Sequence, residues 1–443
     1  MDRIRNTIVL LQGQLWLIPL LMSVSALVLA WWLLTSGATL LDGWNKDRLW
    51  WLFSGDASSA RDLLSSLLSG LMTMTSLVVS VTFVILTLAA NQLGPRLIAT
   101  FMADRQIQSV LGLFLGTILY VLVVLRTLDE GLGTQGVPHI AVTAGSILTA
   151  ICILALLFYV HKIARAIIAD SVVARVAANL HKNIRSILPN EADGPERTVP
   201  DVVMGRSGAV ALGRSGYIQV VDYKELVSVA CRSNALLQVK VRAGHFVLQA
   251  GEHVIANSHH DLDKDTIDSI RSAFVVDTDR TPAQDLEYGL RQLVEIALRA
   301  VSPGINDPFT AVAVLDQLGA ALEEIFQRSL QPVVWRDKGG VVRVIAQRSD
   351  AIGLTNAAFD AIRQASSQLP TVLIRMADVL GQLAPVLRSD PMREGVVGQL
   401  AKVAETAKVA HLTPSDREAV LIRVEQARAA ISAAPKRPPL HCL

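Results

Sequence analysis

Residues 64–90, LSSLLSGLMTMTSLVVSVTFVILTLAA, carry no charge, and they are long enough to cross a bilayer core, which takes about 20 apolar residues. Hydroxyl side chains recur along this run. Ser69, Thr73, Ser76, Ser80 and Thr87 follow in steps of four, three, four and seven, so in a helix they stack along one face that continues to Asn91 and Gln92. A single hydroxyl in hydrocarbon can bond back to its own helix, but an ordered row points to a face turned toward protein or water. Two readings stand: the row is a packing seam between helices, or it lines a wetted path with Ser69, Thr73, Ser76, Ser80, Thr87 and Asn91 as its pore-lining residues.

The rest of the chain supports membrane insertion. It is 51% hydrophobic and 18% charged, with a mean hydropathy of +0.41, more apolar than a water-soluble globular protein. A net charge of +2 lacks the basic excess of a nucleic-acid binder, so no nucleic-acid partner is expected. Cys152, Cys231 and Cys442 show no pairing pattern and no CxxC, which argues against a disulfide framework and against structural zinc.

Four apolar stretches near spanning length lie at about 15–36, 64–90, 108–125 and 139–160. The first is about twice the length of a signal-peptide core and ends in Trp31 and Trp32, so it reads as a retained helix. Arg3 and Arg5, then Arg96 and Arg105, then Lys162, Arg165, Arg175, Lys182 and Arg185 mark the cytoplasmic side. The opposite side balances Lys46, Arg48 and Arg61 with Asp42, Asp47, Asp56 and Asp62, and the loop 127–138 carries Asp129 and Glu130 with no Lys or Arg. The expected location is the bacterial inner membrane with both termini cytoplasmic. Trp44, Trp50 and Trp51 suit the headgroup level. No span interior holds an ionisable residue, which disfavours a proton-coupled pump. Arg126 and His161 close spans three and four as snorkelling side chains, and Asn91, Gln92 and Arg96 can ring an inner mouth.

Residues 161–188 read as one amphipathic helix continuing span four, suited to anionic lipid or to a neighbouring subunit, with a linker after Pro189. From 198 to about 260, β-branched runs separated by glycine predict a small β-barrel or sandwich. Within it, Gly208–Ser215 only imitates a phosphate loop, because its interior is an apolar strand. Asp261, Asp263 and Asp265 fail as a calcium loop, having Thr266 for the glycine and Ser272 for the glutamate. His253, His259, His260 and Asp261 read as loop residues leading to a helix N-cap at Asp265, so no metal and no cofactor are expected. Residues 261–433 read as helical, broken at Pro303, Gly339–Gly340, Pro370, Pro391 and Pro414, with a disordered tail at 434–443.

The densest chemistry lies between 280 and 310. Pro282 fits a first helical turn, and Gln284, Tyr288, Arg291, Glu295 and Arg299 share one face, with Glu295 able to pair with both arginines. Asp307 reads as an N-cap followed by Pro308, with Asn306 beside it. Capping and salt bridges account for this pattern; the alternative is a pocket formed by Arg280, Asp285, Arg291, Asn306 and Asp307. Ser302 has no His near it in sequence and most carboxylates are matched by arginines, so no enzyme is expected.

Three segments, NQLGPRLIATFMADRQIQSVLGLFLGTILYVLVVLR, SGYIQVVD and above all RTPAQDLEYGLRQLVEIALRAVSPGINDPFTAVAVLDQLG, resemble the bacterial predicted membrane protein family known as domain of unknown function 2254. The resemblance covers nearly the whole chain, with Leu93-Gly94 standing where a Phe-Ser pair is expected before Pro95-Arg96. It implies a multi-span inner-membrane protein with a cytoplasmic domain, and it supplies no activity and no catalytic residues.

The expected architecture is therefore an α-helical membrane protein: four transmembrane helices (1–160), an amphipathic connector and linker (161–197), a β-rich cytoplasmic domain (198–260) and a helical cytoplasmic domain (261–433). The expected function is a homo-oligomeric channel-like or transport protein with span two lining the path, its partners being membrane lipid, further copies, and an ion or small anion. The alternative is a membrane-tethered binding or scaffold module without conduction.

Overall fold

The computed structural model describes residues 16–40, 55–93, 104–128, 137–166, 169–188, 206–328, 333–347 and 349–435. Arg3, Arg5, Trp44, Trp50, Trp51, Arg96, Asp129, Glu130 and the linker after Leu188 lie outside the described residues, as do the side chains of Asn91 and Gln92. The chain divides into two compact units, Ile8–Ile168 belonging to the one and Ala169–Leu443 to the other.

The first unit contains α1 (Leu17–Leu40), α2 (Ala57–Leu93), α3 (Arg105–Arg126) and α4 (His139–Ala166). Each carries a segment long and apolar enough to cross a membrane: Leu17–Ser36, Ala57–Thr87, Arg105–Arg126 and His139–Lys162. Helix α3 is central and packs on the other three, burying Phe114, Tyr120, Val121 and Val124. Gly112 and Gly116, one turn apart, let α1 approach: a Cβ on Gly112 would lie 2.8 Å from Met22 Sδ, and one on Gly116 3.2 Å from the Met22 carbonyl oxygen. Small residues at this spacing are a usual device for close helix contact in lipid, where burial against another helix gains little over burial in acyl chains. Asp104 caps α3 by accepting from the Gln106 amide at 2.9 Å, and Lys162, at the end of span four, reaches the same carboxylate at 2.5 Å.

The second unit opens with α5 (Ala169–Ile187), then β1 (Arg206–Val210), β2 (Gly216–Val221), α6 (Tyr223–Arg232), β3 (Leu236–Val239), β4 (Phe246–Val247) and β5 (Val254–Ser258). After these come α7 (Lys264–Ser272), β6 (Phe274–Asp277), α8 (Leu286–Ala300), α9 (Pro308–Phe326), β7 (Val333–Arg336) and β8 (Val342–Ala346). Helices α10 (Ala351–Ala365), α11 (Pro370–Gln382), α12 (Asp390–Val409) and α13 (Pro414–Ala433) complete it.

The expected barrel or sandwich is corrected to two open sheets within a mixed α/β region. One sheet has the order β1-β5-β3-β8-β7 and the other β4-β2-β6. All pairs are antiparallel except β3 with β8, where Leu237 stands opposite Val344. Closure fails because β1 and β7 end opposite edges, and because α6 carries the chain out of one sheet and into the other. Asp222 starts that helix by accepting from the Glu225 amide at 3.2 Å, a D-x-x-E start signal inside a run whose β-branched residues suggest strands. Strands also occur beyond residue 260: β6, and the β7–β8 hairpin that turns at Gly339–Gly340, where the sequence suggests only a break between helices. One core joins both sheets to α6 and α7 through Ile218, Leu226, Leu237, Val254, Ile270, Phe274 and Val344.

Two local expectations shift. The N-cap of α7 is Asp263, not Asp265. Pro282 precedes α8 in a turn, and Asp285 is the cap. Of the helix expected over 161–188, α4 is described to Ala166 and α5 from Ala169, and residues 167–168 lie outside the described residues. The apolar face of α5, with Val172, Val176, Leu180 and Ile184 buried, is covered within the chain by α8 and α9. Glu324 on α9 holds it there, receiving His181 at 2.5 Å and Arg185 at 2.8 Å. Burial pushes the Glu324 carboxyl up, but the hydrogen bonds from Arg185 and His181 outweigh it and hold the group below its ordinary range.

Candidate functional site

Helix α2 presents two unlike faces. Ala57, Ala60, Leu64, Leu71, Val78, Thr82 and Ile85 are buried against the other helices. Ser69, Thr73, Ser76, Ser80 and Thr87 are all exposed. At about 100° per residue the two sets lie on opposite sides of the helix, so the hydroxyl row is the face furthest from its own bundle. The two threonines of the row are satisfied locally: Thr73 Oγ1 donates to the Ser69 carbonyl at 3.0 Å and Thr87 Oγ1 to the Phe83 carbonyl at 2.9 Å. The hydroxyls of Ser69, Ser76 and Ser80 have no partner among the described residues. Asn91 belongs to the same helix.

The inner face holds a polar contact that the sequence reading missed. Thr82 Oγ1, buried, bonds to Tyr159 Oη of α4, and Tyr159 Oη also donates to the Val78 carbonyl at 3.1 Å. Thr82 lies off the hydroxyl row and its partner is far along the chain, so spacing alone gives no sign of the pair. The Gly112–Gly116 spacing, in contrast, was legible and unused.

In the second unit the residues around 280–307 fall into two groups rather than one pocket. At the start of α8, Arg280 donates from Nε at 2.8 Å and Nη2 at 2.5 Å to Oδ2 of Asp285, whose other oxygen accepts the Tyr288 amide at 3.1 Å. Asp285 is 1% exposed. Burial pushes its carboxyl above the ordinary value, and the Arg280 guanidinium pulls against that shift. Gln284 pairs with the backbone of Val221, at the end of β2, through both ends of its amide, at 2.9 and 3.2 Å. At the far end of α8, Asp307 caps α9 by accepting from the Thr310 amide at 3.1 Å, and Asn306 has a φ of +50° in the preceding turn. The Asp307 amide donates to the Ala300 carbonyl, so this turn is separated from Asp285 by the 15 residues of α8, about 22 Å of helix. Arg291 reaches Glu287 at 3.7 Å. Glu295 makes no described pair with either Arg291 or Arg299, and both Glu295 and Arg299 lie half-buried on α8.

Arg242, Gly244, His245 and Glu287 complete the first group. Arg242 Nη2 meets Glu287 at 2.6 Å. Gly244, at φ +89°, is pressed so close that a Cβ would fall 2.3 Å from Asp285 Oδ2; only glycine fits there. Burial lowers the pKa of the His245 imidazole, as do Arg242 and Arg280, against the pull of Glu287. Arg242, Gly244 and His245 stand some 40 positions before α8, and folding alone joins them to Glu287 and Asp285. Their charges answer one another, as in a structural latch between the β3–β4 connection and α8. Among the described residues no group of three metal-ligating side chains occurs.

The comparisons fit the membrane helices and leave the activity open. Uncharacterized proteins of Mycobacterium tuberculosis strain H37Rv and Mycobacterium bovis are each 29% identical over 427 residues, covering 93% of this chain and 79% of the relative. No solved structure matches. A family model described as a predicted membrane protein matches residues 12–382, and the chain belongs to that family, DUF2254.

Proposed function

We propose that several copies of this chain assemble in the bacterial inner membrane as a channel-like protein, with Ser69, Thr73, Ser76, Ser80 and Thr87 of each α2 facing the shared axis. In this reading both termini and the second unit lie on the cytoplasmic side, where the second unit acts as vestibule or sensor. One observation carries it: the hydroxyl row faces away from its own bundle. Hydrocarbon offers the serines no partner, whereas water or another copy does. Hydroxyls also hold ions loosely enough to release them, as conduction requires. The test is current recording from the full chain reconstituted in planar bilayers, with Ser76→Leu and Ser80→Leu as controls. Current that falls by about tenfold in the leucine variants supports the reading, because an apolar constriction obstructs a wetted path. Silence of the unsubstituted chain over a wide range of tension, voltage and ions counts against it.

The second reading, assembly without conduction, is favoured by the spacing Ser65, Ser69, Thr73 and by Ser76, Ser80, which suits a dry small-residue seam. The four helices then anchor and oligomerise a cytoplasmic binding module. Cysteines placed along the row separate the two, since a dry seam cross-links between copies and resists water-soluble reagents.

A further inference from the structure

We infer that the path passes cations in preference to anions, with Asp62 setting the sign; this rests on the conducting reading above. Asp62 lies seven residues before Ser69 on α2, and a heptad returns to nearly the same direction, about 20° away. The hydroxyl face thus extends through Asp62 to Ser58, and all three residues, Ser58, Asp62 and Ser69, are exposed. Asp62 is the only carboxylate in α2, and the only other charge, Arg61, points about 100° away. Asp62 has no side-chain partner among the described residues.

Copies arranged about an axis bring one Asp62 each to the same height. Like charges held close repel one another and attract counter-ions, an effect that reaches about 8 Å at physiological ionic strength. A ring of carboxylates at the head of an otherwise neutral, hydroxyl-lined path concentrates cations and excludes anions. Nothing farther along the described face reverses that sign, because its exposed residues beyond Ser69 are serine, threonine, methionine, leucine, phenylalanine and valine, all uncharged.

The experiment is the reversal potential of the full chain in planar bilayers under a potassium chloride gradient. The expected result is displacement toward the potassium equilibrium potential, retained in Asp62→Glu, lost in Asp62→Asn and inverted in Asp62→Lys. A second measurement guards against a variant that fails to assemble: in Asp62→Cys the preference should be absent, and a negatively charged water-soluble thiol reagent, which restores the charge at that position, should bring it back. Current with anion preference, or with a cation preference unchanged in Asp62→Asn and in Asp62→Cys before and after labelling, overturns this inference and leaves conduction standing. Absence of any current overturns both.

Discussion

Helices α2 and α4 have similar lengths of apolar sequence and sort their hydroxyl groups in opposite directions. In α4, Thr143 and Thr149 are turned inward, at 7% and 4% exposure, and donate to the carbonyls of His139 and Gly145, both at 2.8 Å. Its outward side shows Ile147, Ile151, Leu154 and Phe158. In α2, Thr82 aside, the hydroxyls of Ser69, Thr73, Ser76, Ser80 and Thr87 lie outward, among exposed Met72, Leu77, Phe83 and Val84. An apolar outer face needs only acyl chains, whereas the outward hydroxyls of Ser69, Ser76 and Ser80 have no partner among the described residues. Of these two faces, the one on α2 is the one that the proposed assembly turns toward water or another copy.

The largest expected contrast is in reactivity. Cysteine at Ser76 or Ser80 should react with a water-soluble thiol reagent or cross-link between copies in the membrane, while cysteine at Leu154 or Phe158 should do neither; equal behaviour of the two helices would remove the distinction. Outside the membrane the sorting rule inverts, since buried polar groups there must find partners inside the chain. Asp285→Ala leaves Arg280 buried and unpaired, and should destabilise the second unit by about 3–5 kcal/mol, read as a fall in the thermal midpoint of the full chain in detergent. Tyr159→Phe removes the bonds that join α4 to the inner face of α2. In a membrane such a bond averages about 0.6 kcal/mol, so a small loss in denaturation midpoint, with outward labelling at Ser76→Cys unchanged, would show that the two faces of α2 act independently.

The smallest effect concerns His245. Its folded pKa lies below the ordinary 6.5, so between 6.5 and that lowered value the unfolded segment binds a proton that the folded one does not. Stability of the latch should therefore fall as the pH drops below about 6.5 and level off beneath the folded pKa. Hydrogen exchange at Gly244–Val247 in the full chain, compared with His245→Gln at each pH, measures this. An equal decline in the variant would assign the sensitivity elsewhere.

The four spans were legible because hydropathy over some 20 residues depends on no distant partner. The row on α2 was legible for the same reason, as was Asp307 at a helix start. The β7–β8 hairpin was missed although VVWR, DKGG and VVRVIA carry strand and turn signals, because the helical residues on both sides dominated the reading. Capping and salt bridging describe Asp285 and Asp307, whereas the alternative of one shared pocket fails for them because α8 holds them apart. Arg242 and His245 gave no local sign of joining it.

What the chain's own order of residues decides here is local: which segments suit hydrocarbon, which residues share a helical face, where helices begin. Folding decides which of those faces is covered, and it does so through contacts between residues far apart in sequence. The periodicity of α2 puts five hydroxyls in line, but it is the packing of Leu64, Leu71, Val78 and Ile85 against α3 and α4 that turns that line outward, because a helix buries whichever side its neighbours can fill.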